Sequence, residues 1–491
     1  MDLEKLSKSD LIALNVKQQA LIDRLEFEMA QLKRAIFGSK SERFVPDENP
    51  AQGNLFFEKP AEQIEQHQTE HKISSTHKKP KNKPVRQKIP SHLPRKELVV
   101  EPELDTSGMQ RIGVQESEKL EMEPAKFYVK RILRPKYIDH NNQIHIAPLN
   151  DPFPKCMAGT SVVSHVVIQK YVDHLPLYRQ SKIYKREQID LPRSTLNGMT
   201  NRSARLLEPL YDVLSKLILE VDYLQADESS IPVLTTDKPG SALKGCMLAK
   251  VAPTDNLVVF DYIKTKEKPN ILKSLAGFKG YLQVDGNVTY QHKGKEEEVS
   301  LMHCMVHSRR KFDQALEYDR KRSAYVLNEI KKLYLLERQM STEKISEQAI
   351  AKKRQQEALP ILNNLKKWLE RNYDDEAPSN PFKTATRYML LRWAGLTKYI
   401  EHGKLRPDNN LIENQIRPLA LGRKNYLFAG SHRGAKNAAI FYSLIATCRL
   451  NNIEPKRWLQ DVLNRIGDHH VNKLTELLPT DSYQFSSQST E

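Results

Sequence analysis

The sequence predicts an α/β fold built on a mixed β-sheet. A run rich in β-forming residues, Tyr223 to Leu234, is followed by two more such runs, Gly245 to Val251 and Leu257 to Ile263. A short helical stretch at 267–276 then leads to a fourth apolar run, Tyr281 to Asp285, which ends on an acid. Short apolar runs separated by turns and one helix are typical of a sheet that combines hairpins with a crossover connection.

A helix predicted from Leu301 to Leu316 completes the element order β-β-β-α-β-α. Three consecutive strands and a crossover helix place the fourth strand parallel to the first. The C-terminal ends of neighbouring parallel strands open onto one crevice, where ligands bind. Asp227 and Asp285 are therefore expected to face each other there. This order predicts an RNase H-like mixed sheet.

The charge balance favours a polyanionic partner. Lysine and arginine number 77 against 61 acids, giving a formal net charge of +16. Nucleic acid is the commonest partner of so basic a chain, although a merely soluble basic protein stays open as the alternative.

The cysteines and the apolar pattern indicate the compartment. Cys156, Cys246, Cys304 and Cys448 are scattered, which predicts neither a disulfide framework nor a four-cysteine zinc site. Scattered thiols are typical of a reducing cytosol. The N-terminus lacks a signal-peptide pattern, and no apolar run reaches 18 residues, so we expect a cytoplasmic protein without a membrane span.

The N-terminal hundred residues predict an assembly helix and a tether. Leucines at heptad positions within 3–37 indicate a short coiled coil, hence a homodimer or higher oligomer, and a helix docked on its own domain is an equal alternative. Between His71 and Lys96 the chain is basic, proline-rich and free of acids, which predicts an extended linker that either follows DNA phosphates or is simply solvated.

Composition and periodicity divide the 491 residues into several segments. In order, we predict a coiled-coil helix (1–44), a basic flexible linker (45–96), a small β-rich module (97–155), a helical DNA-binding region (156–220), the first part of an RNase H-like core (221–312), an α-helical insertion (313–404), the last part of the core (405–470) and a C-terminal segment with a flexible tail (471–491). The chain from about Pro479 is polar and expected to fray.

Three acids suit phosphodiester chemistry. Two divalent metals about 3.5–4 Å apart both align a nucleophile and neutralise charge on the phosphate. Magnesium prefers hard carboxylate oxygens, so three carboxylates on adjacent elements are sufficient. Asp227 and Asp285 supply two, and Glu413 is our choice for the third, because Asp408 can cap a helix starting near Asn410 and place Glu413 in its first turn.

The residues after Glu413 form a cationic stretch. Residues 414–453 contain no acid and six lysines or arginines, and another basic run follows Ser308. Tyr426 and Phe428 interleave with these bases and are candidates to stack on exposed DNA bases. The residues predicted to bind DNA are Arg309, Arg310, Lys311, Arg417, Arg423, Lys424, Tyr426, Arg433 and Lys436.

Other polar residues are interpreted as structural. Glu228 points to the face of its strand opposite Asp227, and Asp255 and Asp261 lie in a turn and near a strand end. His303 and His307 are four apart on a predicted helix, but no further ligands follow at zinc spacing. A packing or phosphate-contact role is therefore expected for His307.

Four passages resemble the bacterial insertion-sequence-66 family of DDE transposases. They are Leu224-Gln-Ala-Asp-Glu-Ser, Tyr281-Leu-Gln-Val-Asp, His307-Ser-Arg-Arg-Lys-Phe, and the long stretch that begins Asp408-Asn-Asn-Leu-Ile-Glu-Asn-Gln-Ile-Arg-Pro and runs to Ser431. The resemblance extends to the leucine-rich N-terminal helix. It implies that Asp227, Asp285 and Glu413 form the catalytic triad, with a helical insertion between the second and third acids. Small accessory proteins of the same element are a further implication.

The sequence departs from that family in two places. Members usually carry a cysteine-rich zinc module, but residues 97–146 contain no cysteine, so we predict no zinc. The three carboxylates instead predict two Mg²⁺ ions per site, with Mn²⁺ as an expected substitute. Asn414 stands where the family often has arginine.

The expected function is hydrolysis at transposon ends and strand transfer into double-stranded target DNA. A DNA-binding protein with an inactive core and an RNase H-like nuclease are the alternatives.

Overall fold

The computed structural model describes most of the chain after residue 150. The described residues are 151–154, 156–234, 242–373 and 380–486, together with Phe127, Val129 and two short strands at 136–138 and 144–146. The predicted coiled coil and basic linker lie outside these residues. The described residues fall into two units, a smaller one that contains the strands at 136–138 and 144–146 and a larger one that contains the residues from 151 onward.

The smaller unit contributes a two-stranded antiparallel sheet. Strand β1 (Lys136–Ile138) pairs with β2 (Ile144–Ile146). Both strands fall within the segment predicted to be a β-rich module.

The larger unit is built on a five-stranded mixed sheet. The strand order is β5-β4-β3-β6-β7. Strands β3, β4 and β5 are antiparallel neighbours, whereas β6 runs parallel to β3 and β7 runs parallel to β6. The predicted mixed sheet, with its fourth strand parallel to its first, is confirmed. The strands are β3 (Tyr223–Leu234), β4 (Ala242–Ala252), β5 (Leu257–Ile263), β6 (Gly280–Val284) and β7 (Val299–His303).

Helices precede, interrupt and follow the sheet. They are α1 (Thr160–Tyr171), α2 (Leu177–Arg186), α3 (Arg193–Leu217), α4 (Lys268–Lys273), α5 (Met305–Ala315), α6 (Arg320–Glu343), α7 (Glu347–Lys353), α8 (Leu359–Arg371), α9 (Pro381–Leu390), α10 (Trp393–Thr397), α11 (Asn410–Tyr426), α12 (His432–Leu450) and α13 (Pro455–Arg465). A π-helical turn (Arg354–Ala358) joins α7 to α8, and 3₁₀ turns cover Val288–Gln291, Lys293–Lys295, Lys398–Ile400 and Val471–Leu477.

The prediction of a helix from Leu301 to Leu316 is wrong at its start. Residues Val299–His303 form edge strand β7, and α5 begins only at Met305. The five-residue strand passes directly into the helix. Because the local sequence contains no glycine or proline there, nothing in it marks the change from strand to helix. Pairing with β6 along its whole length, from Gly280 opposite Val299 to Val284 opposite His303, selects the extended conformation.

Helix α12 covers the other edge of the sheet. An uncovered edge strand presents unpaired amide groups that invite association. The Phe260 amide donates to Ser443 Oγ at 2.8 Å, and the Val258 amide donates to Thr447 Oγ1 at 3.1 Å. Serine and threonine four residues apart on one helix face therefore satisfy the outer amides of β5, while buried Phe441 lies on the same helix within the main core.

The helices between α5 and α11 enclose a second apolar core. Buried Phe312, Leu333 and Phe382 belong to this cluster, which reaches the sheet through Tyr223 and Met302. The second core therefore fixes α6 to α10 against the β6–β7 side of the sheet.

The end of the chain packs more fully than its polarity predicts. Fraying was expected from about Pro479, but Tyr483 is 9% exposed and donates a 2.5 Å hydrogen bond to Asp461 on α13. Ser486 also donates to Asp461, which is buried. For residues 479–486 the expectation is wrong, because the acid that anchors them lies eighteen or more residues upstream; residues 487–491 lie outside the described part of the chain.

No helix in the described ranges is long and apolar enough to cross a membrane.

Candidate active site

The register of two parallel strands brings Asp227 and Asp285 together. Tyr223, Leu224 and Gln225 of β3 lie opposite Tyr281, Leu282 and Gln283 of β6. Continued by two residues, this register sets Asp227 beside Asp285, which follows the last residue of β6. Neighbouring strands lie about 4.8 Å apart, so the two acids occupy adjacent positions at one end of the sheet.

Two buried glutamines connect these strands to the third acid. Gln225 and Gln283 precede Asp227 and Asp285 by two residues, and both are completely buried. The Gln225 amide donates to Gln283 Oε1 at 2.8 Å and to the Asp408 carbonyl at 3.1 Å.

The same glutamines hold the chain that leads into α11. The Gln283 amide donates to the Arg406 carbonyl at 2.8 Å, and Gln225 Oε1 accepts from the Ile412 amide at 3.3 Å. The Tyr223 hydroxyl also donates to Gln283 Oε1 at 2.6 Å. These bonds dock the start of α11 over the ends of β3 and β6.

Glu413 lies in the first turn of α11, as the sequence predicts. Asp408 Oδ1 accepts from the Asn410 amide at 3.0 Å, and Asp408 Oδ2 accepts from the Tyr334 hydroxyl at 2.8 Å. Asp408 therefore supports the helix start from both sides. Glu413 Oε1 lies 3.8 Å from His307 Nε2 on α5, so His307 belongs to the same site.

The three acids interact electrostatically. Burial, the charge on Asp285 and, to a smaller extent, the charges on Glu228 and Glu413 raise the pKa of Asp227 to about 7. Close carboxylates disfavour each other's ionised forms. The site therefore concentrates negative charge that a cation would neutralise.

The turn after β6 is held by the helical insertion. The Tyr388 hydroxyl donates to the Asp285 carbonyl at 2.7 Å, and Arg392 donates to the Gly286 carbonyl at 2.9 Å. The Arg392 guanidinium stacks on the Tyr388 ring, 3.9 Å from its centroid. Gly286 has a φ of 99°, which a side chain would make costly. Asp285 is thus positioned by residues a hundred positions away.

The neighbouring acids have partners of their own. Glu228 accepts from the Tyr290 hydroxyl and pairs with Lys266 at 2.6 Å. Asp261 pairs with buried Lys250 at 2.9 Å. Asp255 is an exposed turn residue that accepts from Thr254 at 2.7 Å.

His303 and His307 do not share a helix face. His303 ends β7, whereas His307 lies on α5, so the predicted helical pair is wrong because the strand extends through His303. Burial and the nearby charge of Arg392 lower the pKa of His303 to about 4, so it is neutral at neutral pH.

The acids offer oxygen ligands of the kind that Mg²⁺ prefers. Asp227 and Asp285 each accept one local backbone hydrogen bond, from the amides of Glu228 and Asn287. Each carboxylate has a second oxygen, and the concentrated negative charge suits a divalent cation. Within the described part of the chain, however, no three His, Cys, Asp or Glu side chains stand close enough to share one ion. Binding would therefore require side-chain rotation, which partly exposed Glu413 permits.

The basic residues predicted on α5 lie near the site. Arg309 and Arg310 are partly buried, and exposed Lys311 lies 5.6 Å from the Tyr388 ring centroid. The run therefore begins two residues after His307.

Arg423, Arg433 and Tyr426, which were predicted to contact DNA, bind other side chains or carbonyls of the same chain. Arg423 donates to Ser229 Oγ at 3.1 Å and to the carbonyl of the next residue of β3. Arg433 pairs with Glu208 on α3 at 2.8 Å. The partly buried Tyr426 shares a 2.8 Å hydrogen bond with Tyr442 rather than presenting its hydroxyl to solvent.

The remaining predicted contacts lie on α11 and α12. Arg417 is partly buried, whereas Lys424 and Lys436 are exposed. Glu413, Arg417 and Lys424 are spaced by four and seven residues, which places them on one face of α11.

Sequence reasoning missed the residues that position the acids. Gln225 and Gln283 had a detectable signal, because each precedes an acid by two residues and shares its strand face. Tyr388 and Arg392 had none, because only the packing of the insertion brings them to the turn after β6.

Comparison with known families identifies the class of protein. A family described as "Transposase IS66 family" matches residues 155–437, which include all three acids. Two further matches cover 24–98, described as "Transposase C of IS166 homeodomain", and 443–480, described as "IS66 C-terminal element". The chain therefore belongs to the IS66 transposase family.

Similar proteins occur in Sinorhizobium fredii. The uncharacterized protein y4jD is 32% identical over 416 residues, covering 80% of this chain and 81% of the relative. The uncharacterized protein y4hP is 30% identical over 496 residues, covering 93% of this chain and 88% of the relative. The similarity thus spans most of both proteins.

Proposed function

We propose that this chain is a DDE-type transposase with an RNase H-like core, in which Asp227, Asp285 and Glu413 are the catalytic acids. The observation that carries the proposal is the parallel register of β3 and β6, which aligns the two aspartates. Family membership supports the same assignment.

The three carboxylates would hold two Mg²⁺ ions, with Mn²⁺ as a substitute. When bound, the ions would neutralise charge on the phosphate and lower the pKa of an attacking water. The protein supplies the arrangement of the acids. Gln225 and Gln283 fix α11 to the strands, and Tyr388 and Arg392 fix the turn that carries Asp285.

The proposed reaction has two balanced steps. Water attacks the phosphorus at the element end, and the bond to the 3′ oxygen breaks, leaving a 3′-hydroxyl and a 5′-phosphate. That hydroxyl then attacks a target phosphodiester, forming a new bond while the target 3′ oxygen leaves. Double-stranded DNA is the substrate in both steps. A homodimer or higher oligomer, with accessory proteins of the same element, would hold two ends together.

The decisive experiment is a strand-transfer assay. Purified full-length protein, Mg²⁺, target DNA and labelled DNA carrying the element's own terminal repeats should give joined products. Asp227→Asn, Asp285→Asn and Glu413→Gln should each reduce joining by at least about a thousandfold while DNA binding persists. Asp255→Asn, at an exposed turn, is the matched control and should retain activity.

Other outcomes would contradict specific parts of the proposal. Retained joining in one of the three variants would remove that residue from the triad. Cut but unjoined DNA would indicate a nuclease. Binding by the wild-type protein without any cutting, in the presence of both metals and the accessory proteins, would indicate an inactive core.

A further inference from the structure

Two exposed apolar side chains occupy the turn between the two basic helices α11 and α12. Leu427 is 63% exposed and Phe428 is 42% exposed. The surrounding stretch, 414–453, has no acid and six lysines or arginines, of which Arg433 is paired with Glu208 of α3. A solvated turn would ordinarily carry polar residues or glycine.

The backbone at this tip is strained. Leu427 has a φ of 66° and a ψ of −47°, and the Phe428 amide donates to the Tyr426 carbonyl at 2.8 Å. This is a γ-turn of the rare, strained form. Six non-glycine residues in the described part of the chain have positive φ, and Leu427 is the one apolar side chain among them.

The surrounding structure holds the strained turn in place. The Ala429 amide donates to the Pro232 carbonyl at 2.8 Å, and the Leu234 amide donates to the Ala429 carbonyl at 2.9 Å. Arg423 anchors the preceding helical turn to Ser229. Strained backbone conformations persist where neighbouring contacts hold them in place, and such conformations are concentrated at functional sites. The tip is therefore presented rigidly, at the end of the strand that carries Asp227.

The tip follows the helix face that begins at Glu413. Arg417 and Lys424 lie on that face, and the helix ends at Tyr426. From Glu413 to Leu427 the chain advances fourteen residues, or roughly 21 Å at about 1.5 Å per residue. At about 3.4 Å per base pair, this distance corresponds to about six base pairs of duplex.

We propose that Leu427 and Phe428 form a wedge that unstacks a base of the transposon-end DNA about six base pairs from the phosphate bound at Glu413. The inference rests on the proposed function and adds a second DNA site to it. Apolar side chains inserted between base steps commonly kink or open a duplex. Lys424, exposed between the active site and the tip, would hold the intervening phosphates.

The test is a scan of the element's own terminal DNA with 2-aminopurine, whose emission rises when it is unstacked. Full-length protein is added in EDTA so that the DNA stays uncut. We expect a several-fold rise at one or two positions roughly six base pairs from the cleaved phosphate. Leu427→Ser and Phe428→Ser should each remove most of that rise while the Kd for DNA changes less than about tenfold. Val471→Ser, at an exposed apolar residue in another part of the chain, is the matched control and should keep the rise.

Three results would overturn the wedge without contradicting the proposed function. One is bound DNA without a local rise in emission, and another is an unchanged rise in both serine variants; strand transfer by the wild-type protein would leave the proposed function intact in either case. The third is a loss of oligomeric mass in those variants, measured by light scattering, with an unchanged DNA signal, which would assign the tip to a second copy of the chain. Failure of the wild-type protein to bind DNA at all would overturn the proposed function and the wedge together.

Discussion

The side chains of Gln225 and Gln283 are hydrogen-bonded to each other at 2.8 Å, two residues before Asp227 and Asp285 on adjacent parallel strands. The same pair binds the Arg406 and Asp408 carbonyls and the Ile412 amide. A single buried network therefore connects the three elements that carry the candidate acids. Buried polar networks of this kind fix geometry because an unmatched partner is costly.

Replacing one glutamine should separate positioning from binding. Gln283→Leu removes the acceptor for Gln225 and Tyr223 and the donor to Arg406. Leaving those buried groups unsatisfied should cost about 1–3 kcal/mol of stability. We expect strand transfer to fall at least about tenfold, with DNA binding nearly unchanged, because Glu413 shifts relative to the aspartates.

Gln180→Leu is the matched control for that variant. Gln180 is also completely buried and donates to two backbone carbonyls, those of Val166 and Leu175. The Gln180→Leu variant should have a melting temperature lowered by a similar amount, and it should still join DNA at temperatures below its own melting temperature. Equal loss of joining in both variants would mean that stability, not positioning, explains the effect.

The metal-free site should become less stable as the pH rises. The pKa of Asp227 in the folded protein, about 7, lies above its ordinary value, so folding favours its protonated form. Its contribution to stability is therefore present at pH 4 and lost as the pH rises through 7. In EDTA at pH 8, Asp227→Asn should have a higher melting temperature than the wild type, by a difference in stability on the order of 4 kcal/mol. At pH 4 the two proteins should melt at nearly the same temperature.

Asp255→Asn and added Mg²⁺ complete this experiment. The Asp255→Asn control, at an exposed position, should show no pH-dependent increase in melting temperature over the wild type. Mg²⁺ should raise the melting temperature of the wild type at pH 8 more than that of Asp227→Asn, because a ligand that binds only the folded state stabilises it. A pH-independent difference between Asp227→Asn and wild type would contradict the electrostatic interpretation.

Two glycines with positive φ should respond differently to alanine. A Cβ at Gly286 would lie 2.5 Å from Arg392 Nε and 2.8 Å from the Tyr388 hydroxyl, whereas one at Gly277 would meet nothing within 4 Å. Both variants carry backbone strain, of about 1–2 kcal/mol. Gly286→Ala should also displace the turn after Asp285 and reduce joining by more than about tenfold. Similar activity in the two variants would show that the insertion does not position Asp285.

Lys424 should contribute a sequence-independent phosphate contact. Its side chain is exposed on the face of α11 that begins at Glu413. Lys424→Gln should weaken binding to all DNA sequences alike and lower the slope of log K against log salt by about 1. Lys366→Gln, in the insertion, should leave that slope unchanged. Fluorescence anisotropy across a salt series measures the affinity and the slope for both variants. An unaltered slope for Lys424→Gln would contradict the proposed phosphate contact.

The strands that carry the aspartates were predictable because their signals are local. β-forming residues between turns locate β3 and β5 at their observed bounds, and one short helix before β6 is enough to make that strand parallel to β3. The place of Glu413 in the first turn was also predictable, although the predicted cap was one residue off: the N-cap is Asn409 and makes no side-chain cap bond, while Asp408 accepts from the Asn410 amide.

What surrounds those acids was decided by tertiary contacts. Residues 301–303 of β7 were predicted from the sequence to be helical. They are extended because β6 supplies their hydrogen-bond partners. The sequence predicts that Arg433 contacts DNA, but in the folded chain Arg433 is paired with Glu208 of α3. Tyr388 reaches Asp285 only because the insertion packs against the β6–β7 side of the sheet. The sequence by itself therefore determined which acids stand at strand and helix ends, since propensity and capping act over a few residues. The three-dimensional fold alone decided which of their partners meet, because the bonded groups are separated by 58 residues (Gln225 to Gln283) to 187 residues (Gln225 to Ile412) along the chain.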